Sequence, residues 1–127
     1  MRLQRYIELV RDSVYSRRGI TVRSFNADEV VPGREGFVDA DLLFWDGSRL
    51  VVAETLIVEG TSLVKTDYAY HFQDAQSNLI FRYDNAPHHP GIATHPHHKH
   101  TPNQVEAAAP PNLWEVLQEA EAHLYPQ

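Results

Sequence analysis

Between residues 20 and 85 the chain is a series of β-branched and aromatic runs, and the connections between them are too short for anything but reversal. Residues 37–45 and 50–58 flank Asp46-Gly47, a pair suited to the positive φ of a hairpin turn. Residues 64–73 and 78–83 flank a second short connection at 74–77, and 20–25 form a shorter run ahead of them. A parallel connection needs a dozen or more residues. The spacing therefore predicts an antiparallel meander of about five strands over 20–85.

Helical periodicity lies on either side of this sheet. Leu3, Tyr6, Ile7, Val10 and Val14 recur at spacings of three and four, with Gly19 placed to end a helix spanning 1–18. Asn112 can cap a final helix over 112–124, with Leu113, Val116, Leu117 and Leu124 as its apolar stripe. Residues 86–111 hold too much proline for a helix or an inner strand. The expected fold class is α+β in a single domain over 1–127: an N-terminal helix, the meander, a proline/histidine-rich loop and a C-terminal helix. The helices would cover one sheet face and leave the other partly open.

Composition narrows the chemistry. There is no cysteine, which excludes disulfides, thiolate zinc sites, iron–sulfur clusters and a cysteine nucleophile. No apolar run is long enough to span a membrane, and the N-terminal stretch has no continuous apolar core, so it is not read as a signal peptide; a soluble cytoplasmic protein is expected. Net charge is −6, against general nucleic-acid coating, yet residues 1–25 carry six arginines against Glu8 and Asp12. Arg2, Arg5, Arg11 and Arg17 on the polar side of the first helix are read either as a solvated face or as a surface for phosphates.

Alternation along the second hairpin separates two faces. With Gln73 opposite Asn78, Phe72 pairs with Leu79, His71 with Ile80, Tyr70 with Phe81 and Tyr68 with Tyr83. The aromatic residues then line a core face. The other face gathers Lys65, Asp67, His71, Arg82 and Asp84, able to support proton transfer and phosphate binding. On its own such a patch is an ordinary solvated sheet face. Glu54 stands in the apolar run Leu-Val-Val-Ala-Glu-Thr-Leu-Ile-Val, where it faces a polar cavity, is desolvated or sits on an edge strand; Asp39 and Asp41 are its candidate neighbours.

Six of the eight histidines lie between His88 and His100, among Pro87, Pro90 and Pro96. Three readings compete for this loop. It could bind a divalent metal through His88, His89, His97 and His98 with Asp84 or Glu54, although the spacing fits no standard zinc signature. It could perform acid–base chemistry on a phosphodiester, with Lys65, Arg82 and Lys99 stabilising phosphate charge. Or its imidazoles could bond loop carbonyls and do nothing more.

The run Tyr68-Ala-Tyr-His-Phe-Gln-Asp74, then Leu79-Ile-Phe-Arg-Tyr-Asp-Asn-Ala-Pro-His-His-Pro90, then Thr94-His-Pro-His-His-Lys-His100 resembles the TumE family. These are small bacterial toxins of type II toxin–antitoxin pairs. The resemblance covers about 37–124; His95 stands where the family usually has an aromatic residue before the proline. It implies growth arrest with RNA as target, and a helix-turn-helix antitoxin encoded in the adjacent gene. The matching positions are His71, Asp74, Arg82, Asp84, Asn85, Pro87, His88, His89, His98, Lys99 and His100, with Glu54 at an acidic position.

The leading expectation is a ribonuclease that needs no cofactor. Its catalytic candidates are Glu54, His71, Arg82, Asp84, His88, His89, His98 and His100, and its substrate-binding candidates are Lys65, Asn85 and Lys99. A divalent-metal hydrolase or nuclease is the first alternative, and a non-catalytic protein-interaction module the second.

Overall fold

The structure is a computed structural model and describes residues 2–125. The order is α1 (Leu3–Tyr15), β1 (Ile20–Val31), β2 (Glu35–Phe44), β3 (Arg49–Glu59), β4 (Ser62–Gln73), β5 (Leu79–Asp84), β6 (His98–His100), β7 (Val105–Ala107) and α2 (Leu113–Leu124). The strands form one antiparallel sheet in chain order. The α+β meander between two helices is as expected, but among the described residues there are seven strands rather than about five.

The two additional strands lie inside the segment read as a loop. His98-Lys99-His100 pairs with β5 on one side and β7 on the other, so it is an inner strand. Pro96 and Pro102 flank this tripeptide without entering it, and its N–H groups remain free to pair. Pairing this close in space but distant in sequence leaves little periodicity to read. The first strand is also longer than the predicted 20–25.

Both helices pack on the same side of the sheet. Leu3, Ile7, Val10 and Val14 of α1 and Leu113, Val116, Leu117, Ala120 and Leu124 of α2 join one core with Val38, Leu42, Leu50, Val52, Leu56, Tyr70, Phe72 and Phe81. Asn112 begins α2 as the sequence indicated: its side chain accepts from the Glu115 N–H at 2.9 Å, and Glu115 accepts from the Asn112 N–H at 3.0 Å. Arg17 bonds Glu121, tying α1 to α2. Among the described residues no helix is long and apolar enough to cross a membrane.

The β2–β3 hairpin turns through residues 45–48, with Asp46 accepting from the Ser48 N–H at 2.9 Å. Gly47 has φ +86°, and a Cβ there would meet Ala75 of the β4–β5 turn at 2.9 Å, so both backbone and space require glycine. The β4–β5 hairpin departs from the expected register. Phe72 faces Phe81, His71 faces Arg82, Tyr70 faces Tyr83 and Ala69 faces Asp84. One residue of displacement comes from the turn, which closes with the Asp74 N–H on the Asn78 carbonyl; the other comes from a bulge at Ile80. Two displacements restore the parity, which keeps the aromatic and charged faces where alternation put them. Asp74 holds this turn, accepting from the Gln76 and Asn78 N–H groups at 2.9 Å each.

A second bulge, at Thr66, does change a face. Leu56 pairs with Lys65 and Thr55 with Asp67, so Lys65 turns to the helix side. It therefore does not join Asp67, His71, Arg82 and Asp84.

Candidate functional site

The open face of β3–β5 and the segment after β5 enclose a cleft of about 500 Å³. Arg82 and Asp84 form its floor, His98 and His100 face them from β6, and His88 and His89 close it from the loop. The histidine segment thus folds back over the charged side of the last long strands. Its path is fixed by β6 and by Thr94, which donates to the His97 carbonyl at 2.6 Å and accepts from the Ala108 N–H at 3.0 Å.

Polar groups run in a continuous line across β4, β5 and β6. Gln73 bonds His71 at 3.2 Å, and Arg82 Nη1 donates to His71 Nδ1 at 3.3 Å. Arg82 Nε donates to Asp84 Oδ2 at 2.9 Å. Asp84 Oδ1 accepts from the Ala86 N–H at 3.0 Å and lies 3.0 Å from His98 Nε2, while Oδ2 lies 3.5 Å from His100 Nε2. His98 Nε2 and His100 Nε2 are 3.1 Å apart. His98 is 2% exposed and Asp84 6%, so the contact between these two is shielded from water.

The site's charges follow from this geometry. Burial pushes the Asp84 carboxyl up, but the Ala86 N–H, the Arg82 guanidinium and His98 outweigh it and hold Asp84 below the usual carboxylate range. Burial lowers His71, and the facing Arg82 lowers it further. Burial also lowers His100; Asp84 opposes this, whereas His98, His89 and Arg82 reinforce it. Asp84 is thus held as an anion, while His71 and His100 are biased towards neutrality.

His98 Nδ1 donates to the Pro96 carbonyl at 2.8 Å, which leaves Nε2 aimed at Asp84 and His100. The ligating nitrogens of His89, His98 and His100 lie within 4.8 Å of one another. His88 is exposed at the rim, and its imidazole has no hydrogen-bond partner among the described residues. His97 is elsewhere: it stacks on Tyr68 and bonds its hydroxyl at 2.9 Å. Of the four imidazoles considered for metal, the structure therefore gathers His89 and His98 and adds His100, a residue the metal reading had not included.

Three expected site residues lie on the opposite sheet face. Lys99, paired with Tyr83, points to the helices and bonds Glu119 of α2 at 2.8 Å. Lys65 donates to Tyr70 Oη at 2.6 Å and to the Pro111 carbonyl at 2.7 Å. Glu54, 2% exposed, accepts from Tyr6 Oη at 2.6 Å and from Tyr70 Oη, with Lys65 Nζ at 3.8 Å. Burial, and then Glu54 itself, raise both tyrosine hydroxyls far above their ordinary range, so they stay protonated as donors. Asp39 and Asp41 do not meet Glu54: they pair with Ala53 and Val51 on the open side, where Arg49 clasps Asp41 at 2.6 and 2.7 Å.

Asn85 does line the cleft, but its amide is committed. It accepts from the Tyr68 N–H at 3.1 Å and donates to the Thr66 carbonyl at 2.8 Å, satisfying β4 backbone where pairing with β5 ends. The arginine-rich helix α1 also lies across the sheet from the cleft, where Tyr6 reaches Glu54.

A family model described as Toxin TumE matches residues 7–124. Neither a curated protein nor a solved structure matches the chain. The match takes in α1 from Ile7 onward, α2, the whole sheet and the histidine segment that closes the cleft. The chain belongs to the TumE toxin family.

Proposed function

We propose that this toxin acts by cleaving RNA in the cleft between β5, β6 and the histidine segment. The observation that carries the reading is the convergence of Arg82, Asp84, His88, His89, His98 and His100 on one space. Arg82 would take a non-bridging phosphate oxygen through guanidinium N–H groups not engaged by Asp84 or His71. The ribose 2′-oxygen would bond to phosphorus while the bond from phosphorus to the 5′-oxygen breaks. One proton passes from the 2′-hydroxyl to a neutral imidazole, and a second, protonated imidazole gives its proton to the departing 5′-oxygen. The products are a 2′,3′-cyclic phosphate and a 5′-hydroxyl. His88, at the rim and without an internal partner, suits the first transfer. The reaction requires a 2′-hydroxyl, so DNA is not a substrate.

With a net charge of −6, RNA affinity would rest on local cations and weaken steeply as salt rises. Membership of a toxin family supports an antitoxin partner. We take that partner to be a helix-turn-helix protein from the neighbouring gene.

Growth after induced expression tests the reading. The wild-type chain should arrest growth, and co-expression of the neighbouring protein should relieve the arrest. His98→Ala, expressed to the same soluble level, should allow growth near that of uninduced cells. Full toxicity of His98→Ala would contradict the role given to the cleft.

A further inference from the structure

We propose that His89, His98 and His100 bind one divalent first-row transition-metal ion, of which zinc is the representative, inside the cleft. The donors are three imidazole nitrogens from two separate segments, the loop after β5 and strand β6. Nitrogen donors favour zinc, cobalt, nickel or copper over magnesium and calcium, which prefer oxygen.

The tautomer of His98 is already set for a ligand. Its Nδ1 proton is given to the Pro96 carbonyl, which leaves Nε2 as the nitrogen able to ligate. That nitrogen faces an oxygen of Asp84 at 3.0 Å and a nitrogen of His100 at 3.1 Å. A proton shared between His98 and His100 would join that pair alone and would do nothing for His89. One ion serves all three imidazoles, with the Asp84 carboxylate offsetting its charge.

The distances also suit an ion. Two ligands each ~2.1 Å from a tetrahedral zinc lie ~3.4 Å apart. The His98–His100 spacing of 3.1 Å is already close to this. The widest spacing in the set, up to 4.8 Å, needs closure by about 1.4 Å to reach ~3.4 Å, within reach of rotation of the half-exposed His89 ring. Three protein ligands leave a coordination position for solvent or substrate, as in catalytic zinc sites. Beside Arg82 such an ion would act as a Lewis acid on a phosphate oxygen, and that consequence rests on the RNA reading above. Binding itself does not.

The test uses the untagged full chain. Elemental analysis after dialysis against zinc should find one equivalent per chain, and titration calorimetry with zinc chloride should give a single saturable site. His100→Ala, and His89→Ala on the accessible loop, should each lose about tenfold or more in zinc affinity while keeping the wild-type circular dichroism. His95→Ala should bind as the wild type does, since it lies outside the cluster. At one fixed zinc concentration the melting temperature should rise more for the wild type than for His89→Ala. The proposal is overturned if the wild type retains no zinc, or if His89→Ala and His100→Ala bind it as the wild type does. A protein that binds zinc through these ligands but cuts no RNA upholds the site and removes the RNA reading. One that cuts RNA but binds no zinc does the reverse.

Discussion

Replacing Glu54 with alanine is expected to cost about 3–5 kcal/mol of folding stability, because it leaves buried partners without their acceptor. The carboxylate takes hydrogen bonds from Tyr6 and Tyr70 and faces the Lys65 ammonium at 3.8 Å. Without it the ammonium keeps only Tyr70 Oη and the Pro111 carbonyl, although burial already disfavours its charge. The network ties α1 through Tyr6, β4 through Lys65 and Tyr70, and the approach to α2 through Pro111. Urea unfolding of wild type and variant measures the cost. Glu54→Gln, which retains an amide oxygen as acceptor, should lose less. A Glu54→Ala protein within about 1 kcal/mol of the wild type would show that this network does not anchor the helices. Glu54 thus acts on the fold, and its loss should lower activity only in proportion to the folded protein lost.

Arg82→Ala is expected to slow RNA cleavage by about 10²- to 10³-fold, the scale typical of removing a preorganised donor to developing phosphate charge. Arg82 is held from both sides, by His71 at 3.3 Å and Asp84 at 2.9 Å, so little reorganisation is required when charge develops. Arg82→Lys should recover only part of the rate, since an ammonium lacks the separate, coplanar N–H groups that serve Asp84, His71 and phosphate together. Lys99→Ala should stay within a few-fold of the wild type, because Lys99 lies across the sheet against Glu119. Single-turnover rates at fixed salt compare the three. Equal loss in Lys99→Ala and Arg82→Ala would contradict the division of faces.

The alternation along β4 and β5 was enough to place His71, Arg82 and Asp84 on one face and the aromatic residues on the other. It succeeded although the register was displaced by two residues, since an even displacement preserves the face. A single-residue bulge has no such protection. Thr66 reverses Lys65, and nothing in its composition marks it as a bulge. Glu54 was conspicuous among apolar neighbours, but its partners come from 48 residues earlier and 16 later, distances over which local patterning is silent. The place of His100 among the metal donors is not legible in the sequence, because the approach of β6 to His89 depends on β6 pairing with β5. That pairing was hidden by the surrounding prolines. Capping of α2 by Asn112 was legible because cap, first turn and apolar stripe are contiguous.

Incubating the purified full-length protein with a labelled RNA and with DNA of the same sequence tests the central claim most directly. The account predicts that the RNA is cut to fragments ending in 2′,3′-cyclic phosphate, while the DNA stays intact and His98→Ala leaves the RNA whole. Intact RNA with the wild-type protein, or DNA cut as readily as RNA, would contradict it.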